Sequence, residues 1–175
     1  VAAAHALLRR AEIKNEQLWL DGEVVTSERI KKFVNVKLME RDCIAQHTIV
    51  AGGEQACDPH NEGSGPLPAH RSIIFDVFPR SAMSRYFADM SRTVIRGKVS
   101  AELKRLYGAV KDAQEDAIDK IKDGADGMKI HQGICARFEK AGYKTGLVNG
   151  RMQGYFHGTG HGVGLDIHEA PRISR

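Results

Sequence analysis

Disulfide staples, membrane spans and one-signed charge are all scarce in this sequence. Its three cysteines, Cys43, Cys57 and Cys135, are an odd number with no Cys-x-x-Cys spacing. They read as reduced thiols of an intracellular protein and receive no role. These residues carry no signal-peptide pattern, and no apolar run among them approaches the roughly 18 residues that a membrane helix needs, so a soluble cytoplasmic chain with no membrane partner is expected. Basic and acidic residues number 26 and 22, a net charge of +4, and they are interspersed. That balance is too modest and too scattered for a nucleic-acid partner. Val1 is not an initiator methionine, which leads to the expectation that an N-terminal portion precedes it. With 175 residues and 42% hydrophobic content, the chain is long enough for one domain with a real core.

What the chain does have is a dense glycine and histidine segment, Tyr-Phe-His-Gly-Thr-Gly-His-Gly-Val-Gly-Leu-Asp-Ile-His-Glu-Ala-Pro, from Tyr155 to Pro171. Glycine at that density lets backbone approach a ligand and costs a helix about 1 kcal/mol per residue. The four-residue gap from His157 to His161 is therefore not the histidine pair of a helical zinc protease, because so many glycines disfavour the helix. Beyond Gly162 the chain reads as a strand. His161 and His168 would face opposite ways on a regular strand, because side chains alternate. A bulge or bend at Gly162 or Gly164 could bring both to one site.

A second constellation lies upstream. Ser72 to Phe78 is an apolar run interrupted only by Asp76, and it reads as a buried strand. A carboxylate there is costly unless it is paired or binds a metal. After a turn-like Pro79-Arg80-Ser81 comes a second strand-like run, Arg85 to Ile95, carrying Asp89. The two runs make a hairpin that sets Asp76 and Asp89 side by side, where they repel unless a proton or a cation lies between them. Asp89 could instead pair with Arg85 or Arg92; Asp76 has no such neighbour in its strand, which favours the metal.

The order of Asp76, then Asp89 in Ala-Asp-Met-Ser-Arg-Thr, then His-Gly-Thr-Gly-His-Gly-Val-Gly-Leu-Asp-Ile-His-Glu resembles the pita-bread metallopeptidases, which include methionine aminopeptidase, aminopeptidase P and prolidase. The segment from His157 to Pro171 is most similar to the Xaa-Pro branch. The resemblance runs from about Ile49 to the end of the chain. It implies an α+β pita-bread (creatinase/aminopeptidase) fold, with residues 1–175 as a partial metallopeptidase catalytic domain, C-terminally incomplete. The implied metal ligands are Asp76, Asp89 (bridging) and His161, around two divalent ions. Manganese is favoured by the oxygen-rich donors, with cobalt, iron or zinc as alternatives. His157 and His168 would line the substrate pocket, and His60 matches the upstream pocket histidine. The implied substrate is a peptide with proline at the second position, and a homodimer is the family's common state.

Two departures qualify the match. The 13-residue step from Asp76 to Asp89 is slightly longer than usual and is read as a longer turn. The last two ligands of the family are glutamates on later strands, and Glu169 matches neither. The expectation is thus three of five protein ligands and an isolated chain that is inactive or nearly so. Two other readings compete: a peptide- or protein-binding module of the same fold, and a metal-free hydrolase resembling creatinase. Retention of both aspartates counts against each.

Along the rest of the chain, Val1 to Trp19 begins as an Ala/Leu-rich helix and Asp21-Gly22 makes a turn. Ser27 is expected to cap a helix to about Glu40, with Ile30, Phe33, Val34 and Leu38 on one face. A strand over 45–51 leads into a long loop over 52–68 that carries His60, and long loops are often functional. Ser100 is expected to cap a helix to about Lys122 with Leu103, Leu106, Tyr107, Val110 and Ile121 as its apolar stripe. Another helix, about 128–140, buries Ile130, Ile134 and Phe138 and ends at Gly142. Strands are expected at 152–156 and 163–167. His5 and His131 read as surface or cap residues, His47 and His70 as ordinary polar neighbours, and Tyr86 and Phe87 as core. Arg92 is read as holding a local contact near the site. A faint internal symmetry (helix, strand, histidine-bearing segment) relates 27–60 to 128–168.

Overall fold

The computed structural model describes residues 1–174 and divides into two compact units. The first comprises Val1–Ser100 with Val163–Ile167, and the second Ala101–Gly162 with the residues from His168 on.

The first unit opens with helix α1 (Ala2–Arg10), which buries Ala4 and Leu8. The helix stops there because the chain turns to alternating polarity: β1 (Glu12–Lys14), β2 (Gln17–Leu20) and β3 (Glu23–Val24) form an antiparallel meander. Both of its turns are two-residue turns with positive φ throughout, Asn15-Glu16 at 50° and 59° and Asp21-Gly22 at 56° and 83°. That is the hairpin turn whose twist suits right-handed strands. The second turn agrees with the sequence reading, and the first was not anticipated.

Helix α2 (Ser27–Met39) is capped by Thr26, whose side chain accepts the Arg29 amide at 3.2 Å. The expected cap, Ser27, is instead fully buried and donates its hydroxyl to the Val50 carbonyl at 2.8 Å. Ile30 and Val34 enter the core as read, with Phe33 and Leu38 partly buried against it. Then come β4 (Cys43–Ile44), β5 (Ile49–Gly52), a 3-10 turn (Gly53–Cys57), β6 (Ile73–Val77), β7 (Arg80–Ser81) and β8 (Met90–Val94). β6 is the centre of an antiparallel sheet ordered β5-β6-β8, and β4 pairs with β7. The long loop over 52–68 is strapped to the meander by Leu18 N–H to Leu67 O at 3.0 Å and Leu67 N–H to Val25 O at 2.9 Å. Phe75 fills the centre of this core with no exposed surface.

The second unit holds helices α3 (Ala101–Lys120) and α4 (Gly127–Lys140), the hairpin β9 (Gly146–Val148) with β10 (Arg151–Gln153), and the pair β11 (Gly160–Gly162) with β12 (Glu169–Ile173). Asp126 caps α4 by accepting the Met128 and Lys129 amides. Ile130, Ile134 and Phe138 are buried as read, and Gly142, at φ 92°, ends the helix. The stripe read on α3 is not the buried one. Leu106, Tyr107, Val110 and Ile121 are exposed, and Ala113 and Ala117, one turn apart, are buried with the apolar face of α4. Small side chains at that spacing let two helices approach closely. The segment over 163–167 is a series of bends, not a strand, and Tyr86 is exposed.

His5 also departs from its surface reading. Its ring meets Phe75 edge-on at 5.1 Å, and its Nε2 is buried without a hydrogen-bond partner. Burial foremost, then the positive charges of the N-terminus, Arg9 and Arg92, lower its pKa from the ordinary 6.5. The unfolded chain therefore takes up the proton first as pH falls, and stability drops below about pH 6.5. His5→Phe is expected to flatten the acid limb of the urea midpoint between about pH 7 and 5. Phe75→Ala is expected to cost about 3–5 kcal/mol in urea unfolding, since its cavity lies at the centre of the core.

Candidate functional site

Alternation along β6 places the first acidic residue. Ile73, Phe75 and Val77 are buried in the core, so Ile74 and Asp76 turn to the opposite face of the sheet. In the β6–β8 ladder Asp76 stands directly opposite Ser91, whose hydroxyl donates to Asp76 Oδ1 at 2.6 Å. Asp89 precedes β8 and lies two residues before Ser91, the period that returns a strand side chain to one face. It is exposed, while Asp76 is half-buried. The approach to Asp89 is held by Phe87 N–H to Gly164 O at 2.8 Å and Ala88 N–H to Pro79 O at 2.9 Å. Arg92 donates to the Ser91 carbonyl at 2.8 Å, a local backbone contact as read. Ser91 carried no signal of its own, because its role depends on register.

His60 is exposed, in a turn closed by its own N–H donating to Asp58 Oδ1 at 3.0 Å. His47 Nδ1 lies 2.7 Å from Glu62 Oε1, and His70 Nδ1 accepts the Lys98 amide at 2.7 Å.

The glycine and histidine segment lies mostly in the second unit. The β11–β12 register shifts between His161 and Gly162, the bulge anticipated at that glycine. Gly162 is required there: a Cβ would run into the Ala170 carbonyl oxygen. With the bends that follow, the shift brings the His161 and His168 rings to 4.4 Å between centroids, edge to face at 64°. His161 Nδ1 lies 3.0 Å from the Gly162 carbonyl. A carbonyl only accepts, so Nδ1 carries a proton and donates it. His157 and His168 are exposed, and His161 is half-buried.

Behind this segment is a buried polar network that the sequence did not reveal. His131, read as a surface residue, is only 3% exposed. Its Nδ1 lies 2.9 Å from Thr159 Oγ1, and its Nε2 lies 3.5 Å from Cys135 Sγ. The Tyr155 hydroxyl donates to the same Thr159 Oγ1 at 3.0 Å, and burial raises its pKa above 10.0, so it stays a neutral donor. The available signal was the four-residue step from Ile130 to Ile134 to Phe138: His131 sits next to that stripe, inside the arc a packed helix buries.

The match to the metallopeptidase family M24 model extends over residues 1–175, and the chain belongs to that family. It is 29% identical over 129 residues to the Xaa-Pro dipeptidase of Pyrococcus furiosus, covering 73% of this chain and 34% of that protein. Over 180 aligned residues it is 28% identical to Xaa-Pro aminopeptidase 2 of Streptomyces coelicolor, 94% of this chain and 35% of that one. The solved prolidase from Pyrococcus furiosus superposes with a TM-score of 0.79 at 24% identity, over 98% of this chain and 46% of that chain. The fold is therefore the pita-bread fold of the Xaa-Pro peptidase branch, and the chain spans about a third of the length of these curated relatives.

The family implies divalent metal, and the donor chemistry fits it. Asp76 keeps acceptor capacity beyond its bond from Ser91, since a carboxylate has about four lone-pair sites. His161 has Nδ1 tied to a backbone carbonyl, the contact that metal-ligating histidines make through the nitrogen that does not bind the metal. Among the described residues, neither unit alone gathers three His, Cys, Asp or Glu side chains in metal-binding reach.

Gly162→Ala is expected to cost about 1–3 kcal/mol through the forced backbone shift. Gly160→Ala, whose Cβ would meet only Ile173 Cδ1 at 3.7 Å, serves as the mild control. Thermal unfolding and amide exchange of 160–162 would register the difference.

Proposed function

We propose that the protein is a metal-dependent exopeptidase hydrolysing the bond before proline, as an Xaa-Pro aminopeptidase or dipeptidase. Residues 1–175 are, on this reading, part of its catalytic domain. Asp76, Asp89 and His161 would hold two divalent ions with Asp89 bridging, and manganese suits such oxygen-rich donors. The observation that carries the reading is the hydrogen bond from His161 Nδ1 to the Gly162 carbonyl, which orients the ring as in a metal-ligating histidine, in a chain matched end to end by the metallopeptidase family. When bound, the metal pair supplies Lewis-acid activation of the scissile carbonyl and of water.

The chain's own groups do the rest. Ser91 holds the Asp76 carboxylate through Oδ1 and so fixes its orientation. His157 and His168 would donate hydrogen bonds to the substrate carbonyl oxygen as negative charge develops there. His60 would line the same pocket and bind the peptide. The substrate is a peptide with proline second, the partner a second copy of the chain, and the compartment the cytoplasm. The absence of disulfides among Cys43, Cys57 and Cys135 agrees with that compartment. No helix of the described residues is long and apolar enough to cross a membrane.

The test uses the whole protein with manganese and Xaa-Pro dipeptides against matched peptides lacking proline. Proline-dependent turnover that chelation abolishes and manganese restores is expected; turnover unaffected by chelation would refute the reading. Ser91→Ala is expected to weaken metal binding about 10–100-fold, as loss of an outer-shell partner does. Asp76→Asn removes a ligand and should exceed that loss. Titration calorimetry would rank the two, and an equal or reversed order would count against Asp76 as a ligand.

A further inference from the structure

We propose that His131 is a positioning residue for the His157–His161 segment, acting through the hydroxyl of Thr159; the inference rests on the proposed roles of those two histidines. Thr159 lies two residues from each of them, between Gly158 and Gly160. Glycines on both sides leave that stretch with more conformational freedom to lose than any other residue type would. Thr159 is the one side chain inside this run, and it is anchored three ways. Its N–H donates to Ile173 O at 2.8 Å, its Oγ1 accepts the Tyr155 hydroxyl at 3.0 Å, and the same Oγ1 meets His131 Nδ1 at 2.9 Å.

The protons are consistent. With Tyr155 as donor, the Thr159 hydroxyl has its own proton to give, and His131 Nδ1 takes it. The remaining imidazole proton then sits on Nε2, facing Cys135 Sγ at 3.5 Å. His131 also stacks obliquely on Tyr155, 5.8 Å between centroids, and Tyr155 stacks on Phe138 at 4.8 Å. The buried face of α4 thus sets the middle of an otherwise soft glycine segment. A buried imidazole serving only as core filler would not need an aligned hydroxyl on the segment that carries the functional histidines.

Four variants of the whole protein test this: Thr159→Val and Thr159→Ser, His131→Leu and His131→Asn. Valine keeps the shape of threonine without the hydroxyl, and asparagine keeps a polar atom near the Nδ1 position. In metal-free protein, Thr159→Val and His131→Leu are expected to speed amide exchange of 157–162 about tenfold, the worth of one net hydrogen bond. Exchange across α4 should stay unchanged, and Thr159→Ser and His131→Asn should stay within about threefold of the parent. With manganese and an Xaa-Pro dipeptide, the same two variants should lose kcat with little change in KM. Exchange of 157–162 at the parent rate in both Thr159→Val and His131→Leu would overturn the proposal, as would acceleration spread equally over α4. A parent protein without Xaa-Pro hydrolysis would refute the proposed function instead, and the exchange pattern would still decide the positioning role.

Discussion

The period of a β-strand buried on one face is the constraint on which the placement of the candidate acidic residues depends. Ile73, Phe75 and Val77 are committed to the core, and Phe75 has no exposed surface. Asp76 cannot follow them without leaving water unpaired, so the pleat delivers it to the other face. Its position there is then fixed by pairing rather than by its own sequence neighbours. The ladder to β8 places Ser91 opposite, and the same register sets the phase of Asp89. A slip of one residue would exchange the faces and send the carboxylate into the hydrocarbon core. Stability and the placement of Asp76 on this sheet are one requirement.

The histidine segment meets the same need by different means. It has too many glycines to be held by side-chain packing, and its strands β11 and β12 are short. Order comes instead from a bulge that only glycine can occupy at residue 162 and from the hydrogen bonds that converge on Thr159. The small core of this unit supplies the platform: Ile130, Ile134 and Phe138 dock α4 on Ala113 and Ala117, which fixes His131 in turn. A polar network so placed is satisfied within itself, the condition under which buried polar groups specify a structure instead of weakening it.

Much of this was legible beforehand, for identifiable reasons. The hairpin of Asp76 and Asp89 could be read because two β-branched runs flank a turn, and the bend that unites His161 with His168 because glycine stood where parity demanded a break. Helix α4 was read with its buried face and its stop at Gly142. Two of the failures share one cause: His131 and the α3 stripe were misread because a helix pattern names apolar residues but not which arc another element will cover. Ala113 and Ala117 carry little hydrophobic signal, yet they are buried because α4 needs room. Thr26 and Ser27 are equally good caps in sequence, and only the demand of the Val50 carbonyl for a donor separated them.

The sequence by itself determined the alternation of β6, the glycine positions and the order of acidic and imidazole donors that marks the metallopeptidase family, since these depend on residue type and spacing alone. Tertiary structure decided which partner each donor meets. Ser91 for Asp76, the Gly162 carbonyl for His161 Nδ1 and Thr159 for His131 follow from register and docking. Those contacts join residues through strand pairing, a bulge or helix packing, and hydrogen bonds that short are too directional for spacing along the chain to foretell.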